Sequence, residues 1–216
     1  SISTKKKGNK LPVIEKQESS KILIEHKATD QTHLVLGVRT YPIGHKNMSA
    51  LKVMSAVLGG GMSSRLFQKL REEMGVTYYV RAESDLYTDH GYLAISAGVP
   101  KDRVVEVVHA IVSELTRFIK EPVSSSELEK VKDYLIGTMY LELESSDALA
   151  EFYGYQSVLA QPLKTPDEFA EKIKAVSAED ISAVAKEIFT DSKLNLAIVG
   201  NISESKPLKE ALSFSS

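Results

Sequence analysis

The sequence predicts an α+β fold: a mixed, largely antiparallel sheet of about five strands with helices packed on one face. Three observations carry that expectation. Strand-like runs come in pairs followed by blocks of helix, where a doubly wound parallel sheet would alternate them singly. Two of the runs, "TYYVRAESDLY" and "GYLAISAGV", stand so close together that a hairpin is expected to join them around Asp89-His90-Gly91. From Val104 onward, apolar residues recur at helical spacing until a closing strand, "KLNLAIVGN".

Each element has its own warrant. Residues 1–20 are polar, carry the basic cluster Lys5, Lys6 and Lys7, and show no hydrophobic period, so they read as a linker or arm. Ile22-Leu23-Ile24 and "THLVLGVRTY" are strand-like, with Leu34, Leu36 and Val38 alternating against His33, Gly37 and Arg39. A helix is expected from about Asn47 to Leu58, with Met48, Leu51, Met54 and Leu58 on one side, ended by Gly59, Gly60 and Gly61. A second runs from about Ser64 to Met74 on Leu66, Phe67, Leu70 and Met74, with Gly75 as a left-handed stop. After the hairpin, Val104, Val108, Ile111, Leu115 and Phe118 mark a helix. Ser124 and Glu127 then read as a capping box for a row of Leu128, Val131, Leu135 and Met139. A break is expected near Ser145-Ser146-Asp147. Thr165, Pro166 and Glu168 start one further helix, and Ser177 starts another containing Ile181, Val184 and Ile188. Residues 21–205 thus make one domain, and 206–216 read as a polar tail.

Composition excludes several classes. A formal net charge of −2 gives no basic field for nucleic acid. With no cysteine, disulfides, thiolate zinc sites and cysteine nucleophiles are ruled out. No apolar run reaches the roughly 18 residues of a membrane span, and the first residues lack the apolar stretch of a secretory signal. The expectation is a soluble protein with the cytoplasm as its compartment. The chain begins with serine, as a processed product or a piece of something longer would.

The glycine run "GGGMSSR" fits neither phosphate-binding pattern, which leaves a nucleotide-binding module as the disfavoured alternative. A P-loop needs a lysine and a Ser/Thr after its last glycine, whereas Gly61 is followed by Met62, Ser63, Ser64 and Arg65. The dinucleotide fingerprint fails too, because these glycines follow a helix. They read as a sharp turn between helices, with Ser63 or Ser64 capping the second.

Metal and nucleophile patterns are missing as well. His26, His33, His45, His90 and His109 form neither H-E-x-x-H nor H-x-x-E-H. Glu106 and His109 share a helix face but make only a single pair, Glu142 and Glu144 read as a solvated patch, and no G-x-S-x-G elbow occurs. No metal and no cofactor is therefore expected in this chain. One pairing stands out: Arg71 near a helix end and Tyr78 at a strand start, joined by the tight Gly75 turn, can point into one volume. Guanidinium and phenol can both donate to a carbonyl oxygen gaining charge. Equally, Arg71 can pair with a carboxylate and Tyr78 can lie half-buried in the sheet.

The run "LGGGMSSRLFQKLREEMGVTYYV" followed by "DLYTDHGYLAISAGV" resembles the C-terminal half of the pitrilysin/insulinase zinc metallopeptidases, a likeness extending over roughly residues 21–200. The resemblance implies two related α/β halves, in one chain or two subunits, closing around a peptide. The N-terminal half would carry the H-x-x-E-H zinc motif; the C-terminal half would carry no metal. It also implies that Arg71 and Tyr78 contact substrate and help stabilise the tetrahedral intermediate, while Tyr79 falls where the family tolerates other residues. The expected partners are a zinc-bearing catalytic half and a peptide substrate, with self-association through faces that half would cover. Zinc is expected in the partner half, and the chain alone is expected to be inactive. The family also contains non-catalytic scaffold and substrate-binding subunits, the alternative reading for this chain.

Overall fold

Side-chain alternation along the strands sets the architecture. In the computed structural model, which describes residues 11–159, 161–202 and 206–214, β2 (Gln31–Thr40) buries Thr32, Leu34, Leu36 and Val38 and turns His33 and Val35 outward. β4 (Gly91–Pro100) buries Leu93, Ile95, Ala97 and Val99 in the same way. With β1 (Lys21–His26), β3 (Tyr79–Leu86) and β5 (Leu194–Gly200) they form a five-stranded sheet in the order β1-β5-β2-β4-β3. β1 runs parallel to β5 and every other pairing is antiparallel, the mixed sheet that the sequence predicts.

The apolar face is covered by helices. α1 (Met48–Gly59) packs on β3, α2 (Val104–Lys120) on β4 and α6 (Ala178–Ile188) on β2. Leu51, Met54 and Leu58 of α1 and Ile111 and Leu115 of α2 are wholly buried against Leu34, Leu36, Leu93 and Ile95. Each such side chain contributes about 1.5–3 kcal/mol relative to exposure. α3 (Ser125–Glu142), α4 (Ser146–Val158) and α5 (Pro166–Lys174) lie further out; α3 buries only Leu128 and α4 only Gln156. The Thr165–Glu168 box is complete, and Ser177 builds one with Asp180.

Four local expectations are corrected. The box at Ser124 is half made: its hydroxyl accepts from Glu127 N at 3.3 Å, but the Glu127 carboxylate is drawn away to Arg65. Ser64 does not cap its helix; its hydroxyl donates backward to Gly61 O at 2.6 Å. Phe67–Glu73 winds as a π-helix rather than an α-helix, with Met74 N donating to Lys69 O at 3.1 Å. Within the expected polar tail, Lys206–Ala211 form α7, which buries Leu208 and Ala211, with Leu212 buried just beyond its end, because that spacing puts them on one side.

Of the expected arm, residues 1–10 lie outside the described residues. Residues 11–20 form neither strand nor helix. They are pinned to the sheet by Gln17 Nε2 donating to Leu194 O at 2.9 Å and by an Arg39–Glu15 pair at 2.7 Å.

Candidate functional site

The candidate site lies where α1, the π-helix and β3 meet. Gly59 ends α1 against β3 so closely that a Cβ there would lie 2.3 Å from Ala82 N. Of the three glycines, Gly59 serves contact between helix and strand, Gly60 lies close on Ala56 of its own helix and Gly61 is in open space, and none of the three has a positive φ. The chain then enters the π-helix, whose last turn carries Arg71. Gly75, at φ +62°, reverses the direction as the sequence predicts, and Val76 N closes the turn on Leu70 O at 3.0 Å.

Arg71 grips the backbone beyond this turn. Its Nη1 donates to Thr77 O at 2.7 Å and to Tyr78 O at 2.9 Å, holding two consecutive carbonyls. Tyr78 N donates to Gly98 O at 2.8 Å, although the register partner of Gly98 is Tyr79. Gly98 thus faces two residues, a one-residue bulge at the mouth of β3. Strict alternation would turn one tyrosine inward, yet Tyr78 is 60% and Tyr79 37% exposed. Arg71 is also exposed and makes no ion pair among the described residues. The structure accordingly brings Arg71 and Tyr78 together through backbone, with both side chains at the surface.

Chemically, the arrangement offers an anchored guanidinium beside an exposed phenol. Among the described residues, Nε and Nη2 of Arg71 and the Tyr78 hydroxyl have no hydrogen-bond partner, so a ligand carbonyl or carboxylate could take them. The pair lies outside the hollow of about 540 Å³ on the uncovered face of the sheet, which is lined by Val35, Gly37, Arg81, Glu83 and Tyr92 among others. Sequence reasoning missed Arg65, whose guanidinium makes two bonds to Glu127 at 2.9 and 2.7 Å. It also missed the His33–Tyr79 contact.

Among the described residues no group of three or more His, Asp or Glu is placed to hold a metal ion. Three of the five histidines are engaged separately: His33 with Tyr79 at 3.1 Å, His45 stacked on Tyr41 at 4.0 Å, and His90 stacked on Tyr87 at 4.7 Å and bonded to Asp89. Glu106, expected beside His109, pairs with Arg103. No helix among the described residues is long and apolar enough to cross a membrane.

Comparison with known proteins agrees with this description. Residues 2–135 match the family model of the peptidase M16 inactive domain. The uncharacterized zinc protease YmxG of Bacillus subtilis is 34% identical over 169 residues, 78% of this chain and 41% of the relative. An uncharacterized zinc protease of Mycobacterium bovis is 28% identical over 194 residues, 90% of this chain and 44% of the relative. The chain thus spans less than half the length of these curated relatives. Among solved structures, a protease from Helicobacter pylori superimposes with a TM-score of 0.83 at 22% identity, covering 91% of this chain and 48% of that one. The peptidase M16 inactive domain of Pseudomonas fluorescens gives 0.79 at 20% identity, covering 93% and 48%. At those identities the structural likeness establishes the fold alone. Together with the family match over most of the chain, it places this protein in the peptidase M16 (pitrilysin/insulinase) family, as its inactive, C-terminal domain.

Proposed function

We propose that this chain is the metal-free half of a zinc metalloendopeptidase, closing a chamber over a peptide and lending Arg71 and Tyr78 to hydrolysis by a zinc-bearing partner half. The observation that carries the reading is the Arg71–Tyr78 arrangement. One guanidinium nitrogen is anchored to the Thr77 and Tyr78 carbonyls, while the rest of the guanidinium and the Tyr78 phenol stay at the surface. A peptide carbonyl gains negative charge in the tetrahedral intermediate, and donors already fixed in place stabilise it without reorganising. The zinc-protease names of the relatives support a catalytic half in the part of their length that this chain does not span. Residues 21–205, with α7, are proposed as the half-domain, and residues 11–20 as the arm that enters it.

The test joins this chain to its catalytic half and follows peptide cleavage. Arg71→Ala and Tyr78→Phe are each expected to lower kcat about 10²-fold with zinc content unchanged. Wild-type rates in both would contradict the reading. A second reading, a non-catalytic scaffold or substrate-binding subunit, is favoured by the two bonds through which Arg71 braces its own backbone. Under it, Arg71→Ala lowers the melting temperature and leaves any turnover untouched.

A further inference from the structure

Beside the bulge, the uncovered face of the sheet carries a second pair of polar rings. The register aligns Val199, His33, Gly98 and Tyr79 in one row across β5, β2, β4 and β3. A Cβ on Gly98 would sit 2.6 Å from Tyr79 Cε1, so the missing side chain is what lets the Tyr79 ring lie across β4. The ring thereby reaches the next strand: Tyr79 Oη and His33 Nδ1 are 3.1 Å apart, with ring centroids at 6.0 Å. Holding two exposed rings in one geometry opposes their rotamer entropy. Here the glycine floor and the hydrogen bond fix them together.

The pair keeps a proton pointing outward in every state. With His33 neutral, either the phenol donates to Nδ1 and Nε2–H faces out, or Nδ1–H donates to the phenol oxygen and Oη–H faces out. With His33 protonated, both face out and the pair is cationic. Along β3 the nearest charged residue on that face is also a cation. The next row brings Arg81 beside Ser96 and Val35, and the carboxylates of Glu83 and Asp85 lie further along β3, away from Tyr79. Arg81 and Glu83 are 3.8 Å apart and both well exposed, so Arg81 is only loosely neutralised. In the His33 row itself the one carboxylate is Glu25 of β1, on the far side of Val199.

We propose that His33 and Tyr79 form a carboxylate-reading subsite next to the Arg71–Tyr78 pair, recognising an acidic side chain or the free C-terminus of a bound peptide. The inference rests on the peptidase reading for its substrate class. Its test uses the assembled protein, this chain with its catalytic half, and matched peptides differing by Glu against Gln at one position at a time, or by free against amidated C-terminus. At least one pair is expected to show a kcat/KM ratio of about fivefold in favour of the carboxylate. The discriminating pair identifies the source of the carboxylate. That ratio is expected to fall to about one in His33→Gln/Tyr79→Phe, as exposed charge-assisted bonds of this strength would require. Tyr79→Phe alone keeps the ring on Gly98 and removes only the hydroxyl, so a reduced ratio there cannot come from lost folding. No discrimination in the wild type, or a ratio that persists in the double variant, overturns the proposal. Fluorescence anisotropy on the same peptides reads the ratio as affinity without turnover. An inactive wild type would therefore count against the peptidase reading and leave this test intact.

Discussion

Gly59 has no room for a side chain: a Cβ would press on the Ala82 amide at 2.3 Å, whereas one on Gly61 would meet nothing within 4 Å. Gly59→Ala is expected to destabilise the fold by about 1–3 kcal/mol through overpacking. Gly61→Ala is expected to be neutral or to add about 0.4–1 kcal/mol by restricting the unfolded chain. Urea denaturation separates the two. Tyr41, 6% exposed, gives a pH prediction at the same scale. Burial pushes its phenol up to about 12 from an ordinary 10.0, and the Glu187 carboxylate that accepts its proton at 2.7 Å adds to the shift. The folded state holds that proton more tightly than the unfolded one. The stabilisation is therefore complete below about pH 10 and lost as pH rises toward about 12. Denaturation curves over that window are expected to fall more steeply for the wild type than for Tyr41→Phe, and parallel curves would refute the assignment.

Among elements, the segment after the glycine loop is tied down by Arg65. Its side chain is only 10% exposed, it bonds both oxygens of Glu127 at the start of α3, and its guanidinium lies 4.5 Å from the centre of the Phe118 ring of α2. A double-mutant cycle of Arg65→Met and Glu127→Gln is expected to give a coupling of about 1–3 kcal/mol that changes little with salt. A coupling near zero would make the contact incidental. This bridge explains why the box at Ser124 was legible only in part. Ser124 and Glu127 are local and visible in the sequence, but the competitor for Glu127 comes from 62 residues away. The bulge at Tyr78 was hidden for a related reason. Alternation is a property of one strand, whereas Gly98 opposing two residues is a property of two.

Across the whole molecule, periodicity made the architecture legible. The order of strands and helices, the mixed sheet and the helical cover on one face all come from apolar spacing, because a large core rewards it. The Arg71–Tyr78 adjacency was legible because Gly75 sits between the two residues; the braced carbonyls were not. α7 was misjudged because Leu208, Ala211 and Leu212 are few and set among polar residues. α4, which buries only Gln156, is expected to exchange its amide hydrogens well before α2 in the isolated chain. Equal protection in hydrogen-exchange experiments would mean that α4 is anchored by more than its buried contacts.

The role proposed for this domain is to bring donors, and no metal, to a peptide held against zinc in a partner half. The most direct measurement titrates a zinc-loaded catalytic half with this chain and follows peptide turnover. Turnover is predicted to rise to a plateau with the wild-type chain and to rise about 10²-fold less, or not at all, with Arg71→Ala/Tyr78→Phe, although both bind the catalytic half equally tightly. Equal plateaus for the two chains, or full turnover by the catalytic half alone, would contradict it.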